Sequence, residues 1–197
     1  MRLTATRFAT ATTVVVAILT SSLASADKLD DFKEAAGNTG CKAIPYRSER
    51  DDCESRQNDK NNICKAFSCD RAEVEKSLDK LKEKRQSLTD AKSRNNNDAV
   101  PDLERAIKDL EDFLGQSKSE ARRRSTVCED CISAREKVQK VYGSVRSSVK
   151  NENDAALQPY IDKLIKLYDD GSEAHVKPIE EVKNALENCK WVYNITY

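Results

Sequence analysis

The sequence predicts an all-α fold, a disulfide-stapled bundle of about five amphipathic helices in antiparallel hairpins that is partly coiled-coil-like. Three observations carry this prediction. Apolar residues recur at helical spacing through most of the chain, and no segment alternates as a half-buried strand does. Charged residues make up 35% of the chain and aromatic residues only 6%, which disfavours a large globular core. Seven cysteines can supply the cross-links that such polar helices need.

The start of the chain has the three parts of a secretory signal peptide. Arg2 and Arg7 give a positively charged beginning, an apolar stretch follows, and small residues lead up to Ala26. We therefore predict a signal peptide over residues 1–26 that is cleaved after Ala26, and a secreted or periplasmic protein. No later stretch is apolar for long enough to cross a membrane, so we expect no transmembrane segment in the mature chain.

The mature chain is expected to combine two ranges of different character. Residues 27–69 form a cysteine-rich segment with short helices, of which one ends near Gly37 and the next begins near Ser48. The second of these helices is very polar, so disulfides should hold it in place. Residues 70–197 are predicted to form helical hairpins that make one bundle with the first range.

A helical hairpin is expected at the start of the second range. Asp70 and Glu73 make an N-terminal capping pattern, and leucine and valine residues then recur at helical spacing towards Asn95. A polar turn follows, and Pro101 suits the first turn of the next helix.

Residues 115–125 carry almost no apolar side chain, which leaves open whether they are helical or a break. Thr126 and Glu129 repeat the capping pattern, so we predict a break or kink near residues 124–126.

The rest of the chain predicts further helices. Turns are expected at residues 150–155 and at Gly171, with Pro159 in the first turn of the helix between them. In residues 179–193, apolar residues recur at alternating steps of three and four, as they do in a coiled coil.

The cysteine count is odd, so three disulfides would leave one thiol, which could link two copies of the chain into a disulfide-linked dimer. Cys53 and Cys64 would lie about 16 Å apart along one helix, so each should bridge to another element. All seven are disulfide candidates: Cys41, Cys53, Cys64, Cys69, Cys128, Cys131 and Cys189.

Cys128 and Cys131 form a Cys-x-x-Cys motif that a redox pair would also have. A capped helix start and the arginines upstream would stabilise a thiolate at Cys128. Glu129 and Asp130 oppose a thiolate, and no strand precedes the motif. We therefore favour structural disulfides. Cys131 and Cys189 both fall on apolar stripes. A bridge from the helix of this motif to the last helix would close a loop of roughly sixty residues and would be worth roughly 4 kcal/mol, but the sequence leaves the connectivity open.

Metal and cofactor sites are not expected. Cys64 and Cys69 could join Cys128 and Cys131 around zinc, but the spacing is loose, and the chain has one histidine. That histidine, His175, stands beside a predicted turn and is expected to be a solvated surface residue.

Three further features are candidate contact sites. The run Arg122, Arg123 and Arg124 could contact an anion, although solvation is the expected state of these side chains. Aromatic residues near the C-terminus are expected to seal the end of the bundle. Asn194 begins an Asn-x-Thr glycosylation acceptor, which matters if the source is eukaryotic.

The favoured function is that of an exported non-enzymatic helical protein that binds or scaffolds another protein. The chain lacks the glycine-rich loops and convergent polar groups typical of an enzyme pocket. Its 34 basic and 34 acidic residues balance, which disfavours nucleic-acid binding. The alternatives are a thiol–disulfide redox protein that uses the Cys-x-x-Cys motif and a lipid or membrane-surface binder that uses the apolar stripes of residues 127–196.

Overall fold

The computed structural model describes residues 26–64 and 68–197, and these residues form helices and no strand. The predicted all-α, disulfide-stapled helical fold is confirmed. The predicted signal peptide lies almost wholly outside the described residues. The helices, in chain order, are α1 (26–37), a short 3₁₀ helix (Gly40–Ala43), α2 (Arg47–Ile63), α3 (Arg71–Ser93), α4 (Val100–Lys150), α5 (Gln158–Glu173) and α6 (Val176–Asn194).

The predicted hairpin corresponds to α3 and the beginning of α4. The Asp70 carboxylate accepts a hydrogen bond from the backbone N–H of Glu73 at 2.9 Å, so the predicted cap is present. Ion pairs then join the two helices, at 2.6 Å for Arg85 with Glu111 and at 2.9 Å for Lys92 with Glu104. These pairs are exposed, and each contributes at most about 1 kcal/mol.

Of the break or kink predicted near residues 124–126, the break is wrong, because α4 is one continuous helix of 51 residues. Its buried face in this region is made of small side chains, Ala121, Ser125 and Cys128, which follow each other at steps of four and three. The Ser125 hydroxyl donates to the Ala121 carbonyl oxygen at 2.9 Å, so its polar group is satisfied inside the helix. Thr126 is therefore an internal residue and caps nothing.

The described contacts divide the chain into two compact units. The first unit contains residues up to Ser55 together with Gln139–Glu173. Its core includes Phe32 and Tyr168, both almost fully buried, and the Tyr168 hydroxyl donates to the Ala43 carbonyl oxygen at 2.6 Å.

Glu152 accepts two hydrogen bonds from residues that are distant in sequence. Its carboxylate oxygens lie 2.6 Å from Lys28 Nζ and 2.8 Å from the hydroxyl of Tyr46. Burial and this carboxylate raise the pKa of Tyr46, so its hydroxyl stays protonated and remains a donor.

The second unit contains Arg56–Val138 and Ala174–Tyr197. Its apolar cluster combines residues of α3, α4, α6 and the C-terminal tail, namely Val74, Leu81, Ile107, Leu114, Ala121, Cys189, Val192 and Ile195. The domain boundary predicted between residues 69 and 70 stays a prediction. No helix in the described ranges is long and apolar enough to span a membrane.

The predicted turn at Gly171 is also wrong, since α5 continues to Glu173 and the connection to α6 follows it. Gly171 serves packing instead. A Cβ atom at this position would lie 3.2 Å from the Tyr142 ring, so the glycine allows that ring to lie against the helix backbone.

Two helical glycines should therefore respond in opposite ways to alanine. Nothing lies within 4 Å of a Cβ at Gly143, so Gly143→Ala should stabilise the protein by about 0.5–1 kcal/mol. At Gly171 the new methyl must displace the buried Tyr142 ring, so Gly171→Ala should be less stable than Gly143→Ala by about 1 kcal/mol or more. Urea unfolding of the two variants measures this difference, and equal gains in stability would contradict the packing role of Gly171.

Candidate functional site

Six of the seven cysteines form three disulfides. The pairs are Cys41 with Cys53, Cys64 with Cys131, and Cys69 with Cys189. The prediction that Cys53 and Cys64 bridge to other elements is confirmed. Cys128 is the remaining thiol.

The bridge considered from the sequence between the Cys-x-x-Cys helix and the last helix does not form. Cys131 of α4 is joined to Cys64, just beyond the end of α2, and Cys189 of α6 is joined to Cys69, just before α3. The apolar stripes of α4 and α6 correctly predicted that both cysteines are buried. These stripes do not indicate which cysteines they pair with, and the partners lie in the segment between α2 and α3.

Cys128 has the surroundings of an inert structural thiol. It is only 2% exposed, and burial together with the charge of Glu129 raises its pKa. Because α4 is continuous, Cys128 lies in the helix interior and the predicted helix start that would stabilise a thiolate is absent. Cys131, its partner in the predicted redox pair, is held by Cys64 instead. The burial also removes the thiol from the surface at which a disulfide-linked dimer would form.

The arginine run is partly occupied by contacts within the protein. Arg123 and Arg124 both donate to Glu120, at 2.7 and 2.8 Å, and these hydrogen bonds lower the pKa of the Glu120 carboxyl to about 2. Arg124 also donates to the Ser68 carbonyl oxygen. Arg122 is exposed, so it is the member of the run that remains most open to an external anion.

His175 is buried, which contradicts the prediction of a solvated loop residue. Its exposed fraction is 6%, at the junction between α5 and α6. Burial, with the nearby charges of Lys60 and Arg135, lowers the pKa of the imidazole to about 4. The junction is only two residues long, and His175 is its last residue, directly before the first turn of α6.

This histidine should make stability depend on pH. The folded protein keeps the imidazole neutral down to about pH 4, whereas the unfolded chain takes up a proton below its ordinary pKa of 6.5. The contribution of this group to the free energy of unfolding should therefore be fully present above pH 6.5 and should be lost as the pH drops towards 4, by roughly 3 kcal/mol. Urea unfolding of wild type and His175→Gln across this range isolates the effect, because carboxyl groups titrate equally in both. Parallel curves for the two proteins would show that His175 contributes nothing.

The C-terminal residues fold back onto the second unit. Lys118 donates to the Ile195 carbonyl oxygen at 2.7 Å, and the hydroxyl of Tyr197 donates to the Glu111 carbonyl oxygen at 3.3 Å. Trp191 and Tyr193 are partly buried against the apolar cluster. The aromatic residues thus cover the end of this cluster, while Asn194, the predicted glycosylation acceptor, is exposed.

A groove lies between α3 and the C-terminal end of α6, and it is the candidate functional site. Its volume is about 710 Å³. We call it the C-terminal groove and define it by Arg71, Leu78, Glu187, Lys190, Trp191, Asn194, Ile195 and Thr196.

The lining of the C-terminal groove includes a cation stacked on an aromatic ring. The Arg71 guanidinium lies 4.5 Å from the centre of the Trp191 ring, and it also pairs with Glu75 at 2.8 Å. Lys190 pairs with Glu129 at 3.3 Å. Sequence reasoning identified Trp191 but missed Arg71, because the stack depends on the Cys69–Cys189 bridge, which brings the start of α3 to α6.

No group of three or more histidine, cysteine, aspartate or glutamate side chains with metal-binding geometry occurs within residues 26–64 and 68–197. Comparison of the chain with protein-family models, with curated proteins and with solved structures finds no match.

Proposed function

We propose that this chain is an exported non-enzymatic protein that binds another protein through the C-terminal groove. The observation that carries the proposal is the Arg71–Trp191 stack that lines an open groove. Tryptophan, tyrosine and arginine are the side chains that contribute most to binding energy at protein interfaces.

The surroundings of the stack support a protein partner. The groove is open and shallow rather than an enclosed cavity, which suits a protein surface better than a small molecule. Tyr197, 41% exposed, is one of the two large apolar side chains that the described part of the chain leaves well exposed, and it lines a neighbouring groove with Thr196. The three disulfides are consistent with an extracellular or otherwise oxidising compartment.

Binding should depend on the stack and not on charge in general. The experiment immobilises wild type, Arg71→Ala, Trp191→Phe and Arg105→Ala, and exposes each to the fluid into which the protein is exported. Arg105 is the matched control, since its side chain is 74% exposed on α4 and lies outside the groove. A protein captured by wild type is then purified and its affinity for each variant is measured by calorimetry.

We expect wild type and Arg105→Ala to bind the captured protein saturably and equally. Arg71→Ala should bind roughly tenfold or more weakly, which corresponds to about 1.4 kcal/mol. Urea unfolding of Arg71→Ala confirms that the variant is folded. Equal affinity for Arg71→Ala and Arg105→Ala, or no saturable capture by wild type, would contradict the proposal.

A further inference from the structure

A basic cluster in the second unit is separate from the C-terminal groove. It consists of Lys60 on α2, Arg135 on α4 and His175 before α6. The Cys64–Cys131 bridge explains how the first two meet, because its Cα atoms are 4.9 Å apart. Lys60 is four residues before Cys64 and Arg135 is four residues after Cys131, so each lies one helical turn from the bridge.

The side chains of this cluster influence one another. Arg135 lowers the pKa of Lys60 in addition to the effect of burial, and both cations lower the pKa of His175. Among residues 26–64 and 68–197, neither Lys60 nor Arg135 has a carboxylate within ion-pair distance.

Arg135 gives an independent sign that an acceptor is needed. Its Nε atom is buried and donates to no acceptor in the described part of the chain. A buried N–H of a charged group without an acceptor costs about 1–3 kcal/mol or more. Packing two cations close to each other adds a further electrostatic cost. The fold tolerates both costs here although acidic residues are as numerous as basic ones in the chain.

We infer that Lys60, Arg135 and His175 form a binding site for a small divalent oxyanion, a sulfate or phosphate ion. The planar guanidinium of Arg135 can donate two parallel hydrogen bonds to such an ion, and Lys60 adds a point charge beside it. Lys60 and Arg135 are half-buried and His175 is buried, so solvent reaches only part of the cluster. A small ion fits this access better than the headgroup of a lipid in a membrane.

The single histidine of the chain provides the probe. Its imidazole gives one set of proton resonances, which can be followed during titration of the whole oxidised protein with sodium sulfate. The pH is held at 7, and sodium chloride keeps the ionic strength at about 0.1 M so that general screening stays constant. Parallel titrations use inorganic phosphate, acetate, and vesicles of phosphatidylcholine with phosphatidic acid.

We expect the His175 resonances to shift saturably with sulfate and with phosphate. Arg135→Gln should weaken this binding roughly tenfold or more, and Lys60→Gln should weaken it several-fold, while Lys80→Gln should leave it unchanged. Lys80 is a suitable control because it is exposed on α3 and its loss changes the net charge equally. Urea unfolding confirms that each variant is folded.

Three results would overturn the inference. The first is a response to sulfate that stays linear and does not saturate, which would indicate an adventitious ion only. The second is the same affinity for acetate as for sulfate, because the site would then not select a divalent oxyanion. The third is a response to the phosphatidic acid vesicles without any response to free sulfate or phosphate.

Discussion

Replacing Cys69 and Cys189 together by alanine should lower the free energy of unfolding by about 5 kcal/mol. The bridge closes a sequence separation of 120 residues, so its removal frees much conformational entropy in the unfolded chain, about 4.9 kcal/mol by chain-entropy reasoning. It also holds the start of α3 against α6, where Cys189 is fully buried in the apolar cluster. Urea unfolding followed by far-ultraviolet circular dichroism measures the loss.

The short bridge is the matched control. Cys41 and Cys53 are separated by 12 residues, so their double replacement by alanine should cost less, about 2.8 kcal/mol. Removal of the long bridge should therefore shift the unfolding midpoint clearly more than removal of the short one. The opposite order, or a loss below about 1 kcal/mol for the long bridge, would contradict the stabilising role that we assign to it.

Leu114→Ala should have the second large effect, a loss of about 3–5 kcal/mol. Leu114 is fully buried in the apolar cluster, which also contains residues of α3 and α6. The cluster is small for a chain with this many charges, so the neighbouring side chains have little means to fill the space that the leucine leaves.

Val176→Ala is the control, because it truncates an apolar side chain that is exposed. Val176 is 42% exposed at the start of α6, so its truncation should change stability by less than about 0.5 kcal/mol. Both variants are compared by urea unfolding at one pH. If Leu114→Ala costs no more than Val176→Ala, the apolar cluster is not a stabilising core.

The elements that sequence reasoning predicted well have local signals. Asp70 with Glu73 announces the start of α3, and Pro101 and Pro159 lie in the first turns of α4 and α5 as predicted. Regular spacing of leucine, isoleucine and valine identified the helical faces that are buried. These signals need no knowledge of what packs against the helix, so they can be recognised in one sequence.

The errors concern features that depend on the tertiary partner. Ala121 and Ser125 interrupt the pattern of large apolar residues, which is why the sequence predicted a break there. Both are buried, because small side chains allow a helix face to pack closely. Gly171 was predicted to mark a turn, but the close approach of the Tyr142 ring explains why a glycine stands at this position. His175 was predicted to be a surface residue because it stands beside a turn. In the structure it is buried, directly before α6 in the two-residue junction.

The disulfide pairing and both candidate sites lay beyond sequence reasoning for the same reason. Cys64 and Cys69 are five residues apart but bridge to different helices, α4 and α6. Each bridge creates one site, since the first places Lys60 near Arg135 and the second places Arg71 over Trp191. The partners of Cys64 and Cys69 therefore determine the chemistry of both sites.

The central claim is that disulfides, more than apolar burial, hold these polar helices together. In the direct measurement, the protein is reduced with a phosphine in urea, and the urea is then removed while the reductant is kept. The urea unfolding midpoint of this reduced sample is compared with that of an oxidised sample treated in parallel. By chain-entropy reasoning the loss of three bridges approaches the whole stability of a typical domain, about 5–15 kcal/mol. We expect the reduced chain to lose most of its helical signal or to unfold at far lower urea. An unchanged unfolding midpoint after complete reduction would contradict the claim.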